Sequence, residues 1–393
     1  MKKTWFSRFA LAAFLVLPLA TFAAEPIVIG ASIALTGPAS SLGADESKAF
    51  NLAVGEINAT GGIAGHPLKL NVLDGGGDPQ KDVLNVRKLI TSDNAVGVIC
   101  CTTTPSSMAV IDTVQHAGVP TISIAASAAI VQPVSERHWI FKTPPLDATM
   151  MGPMVKDMRK QGVKTLGFIG FSDAFGQGGL SALKSALEGT DIKPIDVEQF
   201  ARTDTNVNAQ TAKLVAAKPD AVLIWAIPPG ANVAQKGLRE AGYKGQIYQN
   251  YGVTNETFLR LGGASLNGTR ISAQPMVIPD KLPDSLAFKP VIGKFVRDYK
   301  AAHGGAAPSP FAAQAFDAVN IFAAAAKTVV GHNGAALPPT GTFRSELRDA
   351  IENLGQFQGV DGTFNFSRTD HVGLDESSAA MIRIENGAYE FIH

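Results

Sequence analysis

Short apolar runs alternate along this chain with longer stretches in which apolar residues recur every three or four positions. The run at 27–33 predicts a strand, and the stretch that begins at about Gly43 predicts a helix. Gly61-Gly62 is expected to end that helix, because glycine readily adopts the left-handed conformation that closes a helix C-terminus. The chain therefore opens with a strand followed by a helix.

The same alternation recurs in two series. Further strands are predicted at 68–72, 95–99, 119–124, 166–169, 221–225 and 246–248, and helices at 83–90, 108–114, 178–187, 208–217 and 233–241. The last third is mostly helical, at 291–302 and 311–330, before strand-like stretches at 362–366 and 381–392. Strands that alternate with helices form parallel sheets covered on both faces. Two such series predict two α/β lobes.

The predicted fold class is α/β, with two Rossmann-like lobes built on parallel sheets. The extended segment 138–145 lies between the two series and predicts a crossover. We expect residues 25–145 and 274–358 to form lobe 1, and residues 146–273 and 359–393 to form lobe 2. A length of 393 residues fits two domains.

The N-terminus, residues 1–24, has the pattern of a cleaved secretory signal. Three basic residues and an apolar run at 9–19 precede small residues, and cleavage is expected after Ala23 or Ala24. A membrane anchor is the alternative, but the apolar run is shorter than the roughly 20 residues that a membrane-spanning helix needs. The sequence therefore predicts a protein secreted into the periplasm.

Charge and composition exclude several classes of partner. The chain is 46% hydrophobic and 17% charged, as expected for a globular protein. Removing the three basic residues of the signal leaves 31 basic and 34 acidic residues, a formal charge of −3. A nearly neutral chain lacks the basic surface that nucleic acids and anionic membranes attract. No nucleic-acid partner is expected.

The two cysteines, Cys100 and Cys101, are adjacent. They can form a vicinal disulfide, which needs an unusual geometry, or remain small apolar side chains in the core. We expect the second arrangement. Two adjacent cysteines do not build a cysteine-rich metal site, and neither a metal nor a cofactor is expected.

Candidate ligand contacts follow the predicted strands, because ligands of open α/β sheets bind beyond the carboxyl ends of the strands. In the first lobe these positions carry hydroxyls and small residues, which are Thr103, Thr104, Ala125, Ala126 and Ser127. Hydroxyls and backbone amides near helix N-termini suit a carboxylate. In the second lobe they carry Phe175, Ile227 and Tyr251, which suit an apolar or aromatic body. Ordinary turn and N-cap chemistry is the alternative for each loop.

Several segments resemble one family when they are taken in order. They are 27–30, Leu35-Thr36-Gly37-Pro38, 56–58, 61–65, Asp78-Pro79, Gly118-Val119-Pro120, Phe175-Gly176-Gln177-Gly178, Gly362, Phe364, Phe366 and Asp370-His371. The set is similar to the leucine/isoleucine/valine-binding proteins of ABC importers, which have the type I periplasmic binding protein fold. The resemblance covers almost the whole chain after the signal.

The resemblance implies two lobes, joined by three crossover strands, that close around a small-molecule ligand by hinge motion. It also implies a monomer that delivers its ligand to an ABC permease and ATPase at the inner membrane. Carried over by position, it places Leu42 and Phe311 in the lining and Thr103-Thr104 where a hydroxyl holds the ligand carboxylate. It assigns the loop 125–127, Phe175 and Ile227 to the same site.

One departure from the resemblance concerns the ligand. Amino-acid binders of the family commonly pair the ligand's ammonium with a carboxylate, and that position is Tyr251 here. Asp173 is the alternative carboxylate that could pair with the ammonium. A buried ammonium without a counter-charge is costly. The favoured ligand is therefore a carboxylate with an apolar or aromatic body, and a branched-chain amino acid is the alternative.

Two other functional classes compete with transport. An enzyme is not expected, because the sequence has no nucleophile elbow, no phosphate-binding loop and no dinucleotide fingerprint, and no catalytic residue is assigned. A soluble ligand-sensing partner of a receptor would use the same fold and stays open as a second role.

Overall fold

The computed structural model describes residues 24–392. The predicted signal, residues 1–24, lies outside the described residues apart from Ala24. Within the described range, the helix bounds are α1 (Ser40–Ala59), α2 (Pro79–Thr91), α3 (Thr104–Ala117), α4 (Asp147–Lys160), α5 (Ala174–Leu187), α6 (Asn208–Ala217), α7 (Gly230–Glu240), α8 (Glu256–Gly262), α9 (Lys289–Ala302), α10 (Pro310–His332) and α11 (Thr340–Glu352). None of these helices is both long and apolar enough to cross a membrane.

The strands alternate with these helices. They are β1 (Ile27–Ile33), β2 (Leu68–Asp74), β3 (Gly97–Cys100), β4 (Thr121–Ser123), β5 (Ile140–Lys142), β6 (Thr165–Phe171), β7 (Lys193–Phe200), β8 (Ala221–Trp225), β9 (Gln246–Gln249), β10 (Arg270–Ala273), β11 (Gln356–Gln358), β12 (Thr363–Asn365), β13 (Ala380–Glu385) and β14 (Ala388–Phe391).

Two main sheets organise the molecule. The first has the strand order β2-β1-β3-β4-β5 and is parallel throughout. The second has the order β14-β13-β10-β9-β8-β6-β7, and it is parallel from β10 to β7. We call each sheet with the helices packed on it the first and the second lobe. The α/β fold class with two parallel sheets is confirmed, and the lobe boundaries at 145, 273 and 358 stay a prediction.

The central strands are apolar because helices cover both of their faces. Every residue of β3 and of β8 is buried, which is typical of parallel sheets. The predicted strand at 381–392 is instead an antiparallel hairpin, because Asn386 and Gly387 adopt positive φ angles of 50° and 77° and reverse the chain.

The sequence prediction lacks six elements of the structure, which are β7, β10, β11, α4, α8 and α11. β7 is the edge strand of its sheet, and Ile195 and Val197 on it are about 40% exposed. A strand that is half exposed alternates apolar with polar residues and does not appear as an apolar run. This omission matters for the site, because the loop after β7 reaches the ligand cavity.

Candidate functional site

A cavity lies where the carboxyl ends of the strands of the two lobes face each other. About 410 Å³ of space between its walls is free of protein atoms, and this volume includes open solvent. Its walls are formed by Leu42, Thr102, Thr103, Thr104, Ile124, Ala125, Ala126, Pro144, Phe175, Arg202, Ile227, Tyr251, Gly252, Phe311 and Gln314.

Two threonine hydroxyls of the first lobe are buried, and neither has a hydrogen-bond partner in the described part of the protein. Thr103 occupies the N-cap position of α3, yet its side chain makes no capping hydrogen bond, and Thr104 is the first residue of the helix. Their side-chain oxygens are buried and find no hydrogen-bond partner among the described residues. Because unpaired buried polar groups are costly, these two hydroxyls are candidates for contact with a ligand.

Thr102, the residue before them, has a structural role instead. Its hydroxyl accepts a hydrogen bond from the Ala34 amide (2.9 Å) and donates one to Glu46 Oε2 (2.6 Å). Burial raises the pKa of Glu46 to about 8, although the Thr102 hydrogen bond acts in the opposite direction. The Glu46 carboxyl is therefore mostly protonated at neutral pH, and it anchors the threonine loop to α1 without adding a full negative charge.

A disulfide between Cys100 and Cys101 lies directly before this loop. Both residues are buried, as expected, but the expectation of two unpaired thiols is wrong. Ser107 Oγ accepts from the Cys101 amide (2.9 Å) and contacts Ser123 Oγ (2.9 Å). Ser123 in turn accepts from the amide of Ala125 (3.2 Å), so one chain of hydrogen bonds joins the two loops of the first-lobe wall.

The second-lobe wall is largely apolar and tightly packed. Phe175 comes from the start of α5, Ile227 follows β8, and Gly252 lies after β9. A Cβ atom at Gly252 would lie 2.7 Å from Asn250 Oδ1 and 3.1 Å from Ile227 Cγ2, so only glycine fits there. Behind this wall the Trp225 ring lies 5.9 Å from the Phe175 ring.

Tyr251 uses its hydroxyl inside the protein. It donates to Asp147 Oδ1 at 2.9 Å, and Asp147 lies in the first turn of α4. Burial raises the pKa of Asp147 and lowers that of the neighbouring Lys142 to about 8. Lys142 donates to the carbonyls of Ala126 and Pro145. Tyr251 therefore joins the second-lobe wall to the crossover between β5 and α4.

Asp173 has a structural role, and its carboxylate is not free to bind a ligand. Oδ1 caps α5 by accepting from the amides of Phe175 (2.9 Å) and Gly176 (3.2 Å). Oδ2 accepts from Nε of Arg202, a residue of the loop after β7. With both oxygens engaged, this carboxylate is a poor counter-charge for a ligand ammonium.

Arg202 is the charged residue of the cavity wall, and the sequence prediction missed it. Its guanidinium carbon lies 4.4 Å from the centre of the Phe171 ring and 5.9 Å from that of Phe175. Burial lowers the pKa of Arg202, while Asp173 raises it. An arginine remains charged under these conditions. The alternation of Ile195 and Val197 with acidic residues is the signal that could have identified β7 and directed attention to the loop after it.

Nine of the ten predicted site residues line this one cavity. Ser127 does not, because its side chain accepts from the Ala129 amide (3.3 Å) and caps a short 3₁₀ helix. The lining residues that the sequence prediction lacked are Thr102, Ile124, Pro144, Arg202, Gly252 and Gln314. Ligand contact by any of these residues is a separate question from their position.

Comparisons with known sequences identify a family. The profile of the periplasmic binding protein family (Peripla_BP_6) matches residues 26–388. An amino acid binding protein of Pseudomonas aeruginosa is 27% identical over 325 residues, which cover 80% of this chain and 82% of that protein. Leu/Ile/Val-binding protein homolog 1 of Brucella suis is 24% identical over 390 residues, covering 93% of this chain and 99% of the relative.

Solved structures agree with the sequence comparisons. An extracellular ligand-binding receptor from Rhodopseudomonas palustris HaA2 is 33% identical, has a TM-score of 0.88 and covers 94% of this chain and 100% of its own. LivJ of Streptococcus pneumoniae, a branched-chain amino acid transporter substrate binding protein in complex with isoleucine, is 23% identical with a TM-score of 0.78, covering 93% of this chain and 98% of its own. At that identity the likeness to LivJ concerns the fold alone. The chain belongs to the periplasmic binding protein family, within the leucine/isoleucine/valine-binding group, and has the type I fold.

Proposed function

We propose that this protein captures a small carboxylate with an apolar or aromatic body and delivers it to an ABC importer. One observation carries the choice of ligand. Among the described residues that line the cavity, Arg202 is the single one with a full charge at neutral pH, and no aspartate or glutamate lines it. Although Asp173 pairs with Nε of Arg202, the wall itself offers guanidinium and hydroxyl donors and no carboxylate, which favours a ligand that carries anionic oxygen.

An α-amino acid fits this wall less well than a simple acid does. Its α-ammonium would be buried one carbon from the carboxylate, against a wall that no aspartate or glutamate lines, and burying an unpaired charge is costly. Asp147 already accepts from Tyr251, and Asp173 accepts from Arg202 and the start of α5. Asp361, which interacts electrostatically with Tyr251, is buried with both carboxyl oxygens unpaired among the described residues, but burial and the neighbouring Asp317 raise its pKa and so favour the neutral acid. Both electrostatics and hydrogen bonding therefore oppose a ligand ammonium.

The first-lobe wall supports the position of the ligand carboxylate. The hydroxyls of Thr103 and Thr104 lack protein partners, and they lie at the N-terminus of α3, where the helix dipole favours an anion. The apolar part of the ligand would then pack among Leu42, Phe175 and Phe311. Closure of the lobes removes water and strengthens each of these contacts.

Transport and location are part of the same proposal. Secretion into the periplasm through the cleaved signal at 1–24 would place the protein where it meets external solutes. The closed, ligand-bound monomer would then be the form that the permease recognises, because ligand binding selects that conformation. The names of the relatives support this assignment, since they describe binding proteins and one transporter component.

Branched-chain amino acid binding is the second candidate. The names of relatives from Pseudomonas aeruginosa and Brucella suis favour it, since they refer to amino acid and Leu/Ile/Val binding. It requires that a carboxylate become available to the ligand ammonium. Two buried carboxyls interact with Tyr251 of the cavity wall: Asp147, at 2.9 Å from its hydroxyl, and Asp361, whose oxygens have no hydrogen-bond partner among the described residues.

Thermal unfolding of the mature protein against a ligand panel separates these candidates. The protein is first freed of any copurified molecule by partial unfolding and dialysis. The panel contains leucine, isoleucine, valine, polar amino acids, aromatic acids and short-chain carboxylates. A ligand that binds only the folded state raises Tm by mass action. We expect shifts with aromatic or alkyl acids; a shift with leucine or valine alone would transfer the assignment to amino acid uptake.

A further inference from the structure

Arg202 has hydrogen-bonding capacity that the protein does not use. A guanidinium carries five N–H donors. The hydrogen bond that the described residues provide is the one from Nε to Asp173 Oδ2, and the terminal nitrogens have no acceptor among them. The Arg202 side chain is about 20% exposed and forms part of the cavity wall. Arg202 therefore combines unused donors with a position in the cavity wall.

Three other partly buried arginines show what a purely structural arginine does in this protein. Nη1 of Arg239 donates to the carbonyls of Tyr243 (2.9 Å) and Gly245 (3.2 Å). Arg344 donates from Nη2 to the Ala95 carbonyl at 2.8 Å. Nη1 of Arg270 donates to an aspartate, Asp157, at 2.7 Å. Each of these arginines uses a terminal nitrogen, whereas Arg202 engages only Nε. The difference indicates that the terminal nitrogens of Arg202 are kept for another partner.

The position of the guanidinium is also fixed in advance. It lies over the Phe171 ring, and Oδ2 of Asp173 holds Nε. Asp173 is itself held by two amides at the start of α5. A donor that is already oriented loses little entropy when it binds, so its contribution to affinity is larger than that of a mobile side chain.

The two sets of unused donors belong to different lobes. Thr103 and Thr104 follow β3 of the first lobe, and Arg202 follows β7 of the second. A ligand with oxygen at both ends fills both, and it then links the two lobes in the closed state.

We propose that Arg202 binds an oxygen atom at the end of the ligand opposite the carboxylate, so that the preferred ligands are acids with a second oxygen function, a hydroxyl or a second carboxylate. This inference rests on the proposed function, because it takes the first carboxylate to be bound by the threonine hydroxyls. It narrows the ligand class from apolar acids to acids with polar groups at both ends.

Isothermal titration of matched ligand pairs tests the inference. The pairs are benzoate with 4-hydroxybenzoate, 3-phenylpropanoate with 3-(4-hydroxyphenyl)propanoate, and hexanoate with hexanedioate. Each pair is titrated into the wild-type protein, Arg202→Met and Arg202→Lys. Arg270→Met is the matched control, because Arg270 is a similarly buried arginine that pairs with an aspartate away from the cavity. Circular dichroism and Tm confirm that each variant is folded.

In the wild-type protein, the second oxygen should improve affinity by about 10-fold or more in at least one pair, as expected for a hydrogen bond to a charged group. In Arg202→Met that gain should shrink to about 2-fold or less, with Arg202→Lys between the two and Arg270→Met like wild type. Equal affinities within every pair in the wild-type protein would overturn the inference. A gain that survives in Arg202→Met would overturn it as well.

The same titrations distinguish this failure from a failure of the proposed function. If simple acids bind and the second oxygen adds nothing, the inference alone is wrong. If no acid of the panel binds at concentrations up to about 1 mM, both are wrong. If Arg202→Met does not fold, the comparison within the wild-type pairs still decides whether the second oxygen is recognised.

Discussion

The two walls of the cavity meet a ligand with different chemistry. In the first lobe, the hydroxyls of Thr103 and Thr104 are buried and have no protein partner. In the second lobe, the Tyr251 hydroxyl already donates to Asp147, and Asp173 already binds Arg202 and the start of α5. Residue types alone do not show this difference. What a polar group can offer a ligand depends on whether the fold has already given it a partner.

The largest expected effect comes from removing the free hydroxyls of the first wall. The double variant Thr103→Val, Thr104→Val keeps the side-chain shape and should weaken carboxylate binding about 100-fold, because two hydrogen bonds to a charged group are lost. Tm of the ligand-free protein should stay the same or rise, since the hydroxyls have no protein partner to lose. Isothermal titration and thermal unfolding measure the two quantities.

Thr103→Ser with Thr104→Ser is the control, because it keeps both hydroxyls. Its affinity should remain within a few-fold of wild type. A double valine variant that binds carboxylates as well as wild type does would show that the first wall is not the anion site. A large drop in Tm would show that the hydroxyls support the fold instead.

The pH dependence of stability tests the role of Glu46, which holds the threonine loop of the first lobe to α1. Its pKa rises on folding from 4.5 to about 8 through burial, so the folded state holds a proton that the unfolded state releases. The contribution of the protonated Glu46 to the free energy of unfolding is therefore fully present below pH 4.5, and it is lost as the pH rises from about 4.5 to 8. Between pH 6 and 9 we expect this group to remove about 2 kcal/mol from the free energy of unfolding.

Glu46→Gln mimics the protonated acid and should flatten this part of the stability curve. Urea unfolding at several pH values gives the comparison. Glu25→Gln is the control, because it makes the same substitution at an exposed glutamate. An identical slope for wild type and Glu46→Gln between pH 6 and 9 would contradict the account of Glu46.

A Tyr251 variant tests whether the hydroxyl of this residue binds Asp147 and not the ligand. Tyr251→Phe removes the hydrogen bond to Asp147 (2.9 Å) and keeps the aromatic ring in the cavity wall. The free energy of unfolding should fall by about 1–2 kcal/mol. Carboxylate affinity should change by no more than about 2-fold, because the hydroxyl is not directed at the ligand. A large loss of affinity with unchanged stability would mean that the hydroxyl binds the ligand.

Ser127 gives the smallest expected effect. It is the predicted site residue that lies off the cavity wall, and it caps a short 3₁₀ helix through a 3.3 Å hydrogen bond. Ser127→Ala should lower the free energy of unfolding by about 0.5–1 kcal/mol and leave ligand affinity unchanged. A drop in affinity of 10-fold or more, measured by titration, would return Ser127 to the ligand site.

Much of the fold could be predicted because the central strands are apolar throughout. The prediction of β8 at 221–225 and of α6 at 208–217 matches the structure residue for residue. The lining residues that follow such strands, Phe175, Ile227 and Tyr251, could be found for the same reason. A buried parallel strand is visible in sequence, and the position after it is defined by the fold.

The remaining features depend on contacts that sequence does not show. Arg202 follows β7, whose exposed edge gives no apolar run. Ser127 and Thr103 are both small hydroxyl residues next to a helix start, yet Ser127 caps its helix and Thr103 does not. The pairing of Cys100 with Cys101 depends on the local backbone. In each case tertiary geometry, rather than residue type, decides the role.

The central claim is that the cavity accepts a carboxylate and rejects an ammonium. The most direct test titrates the wild-type protein with two ligands that differ only in the amino group, L-phenylalanine and 3-phenylpropanoate, with L-leucine and 4-methylpentanoate as a second pair. We predict that in at least one pair the acid binds, and that its amino acid binds about 100-fold more weakly or not at all. Tighter binding of L-leucine or L-phenylalanine than of its deaminated partner would contradict the claim.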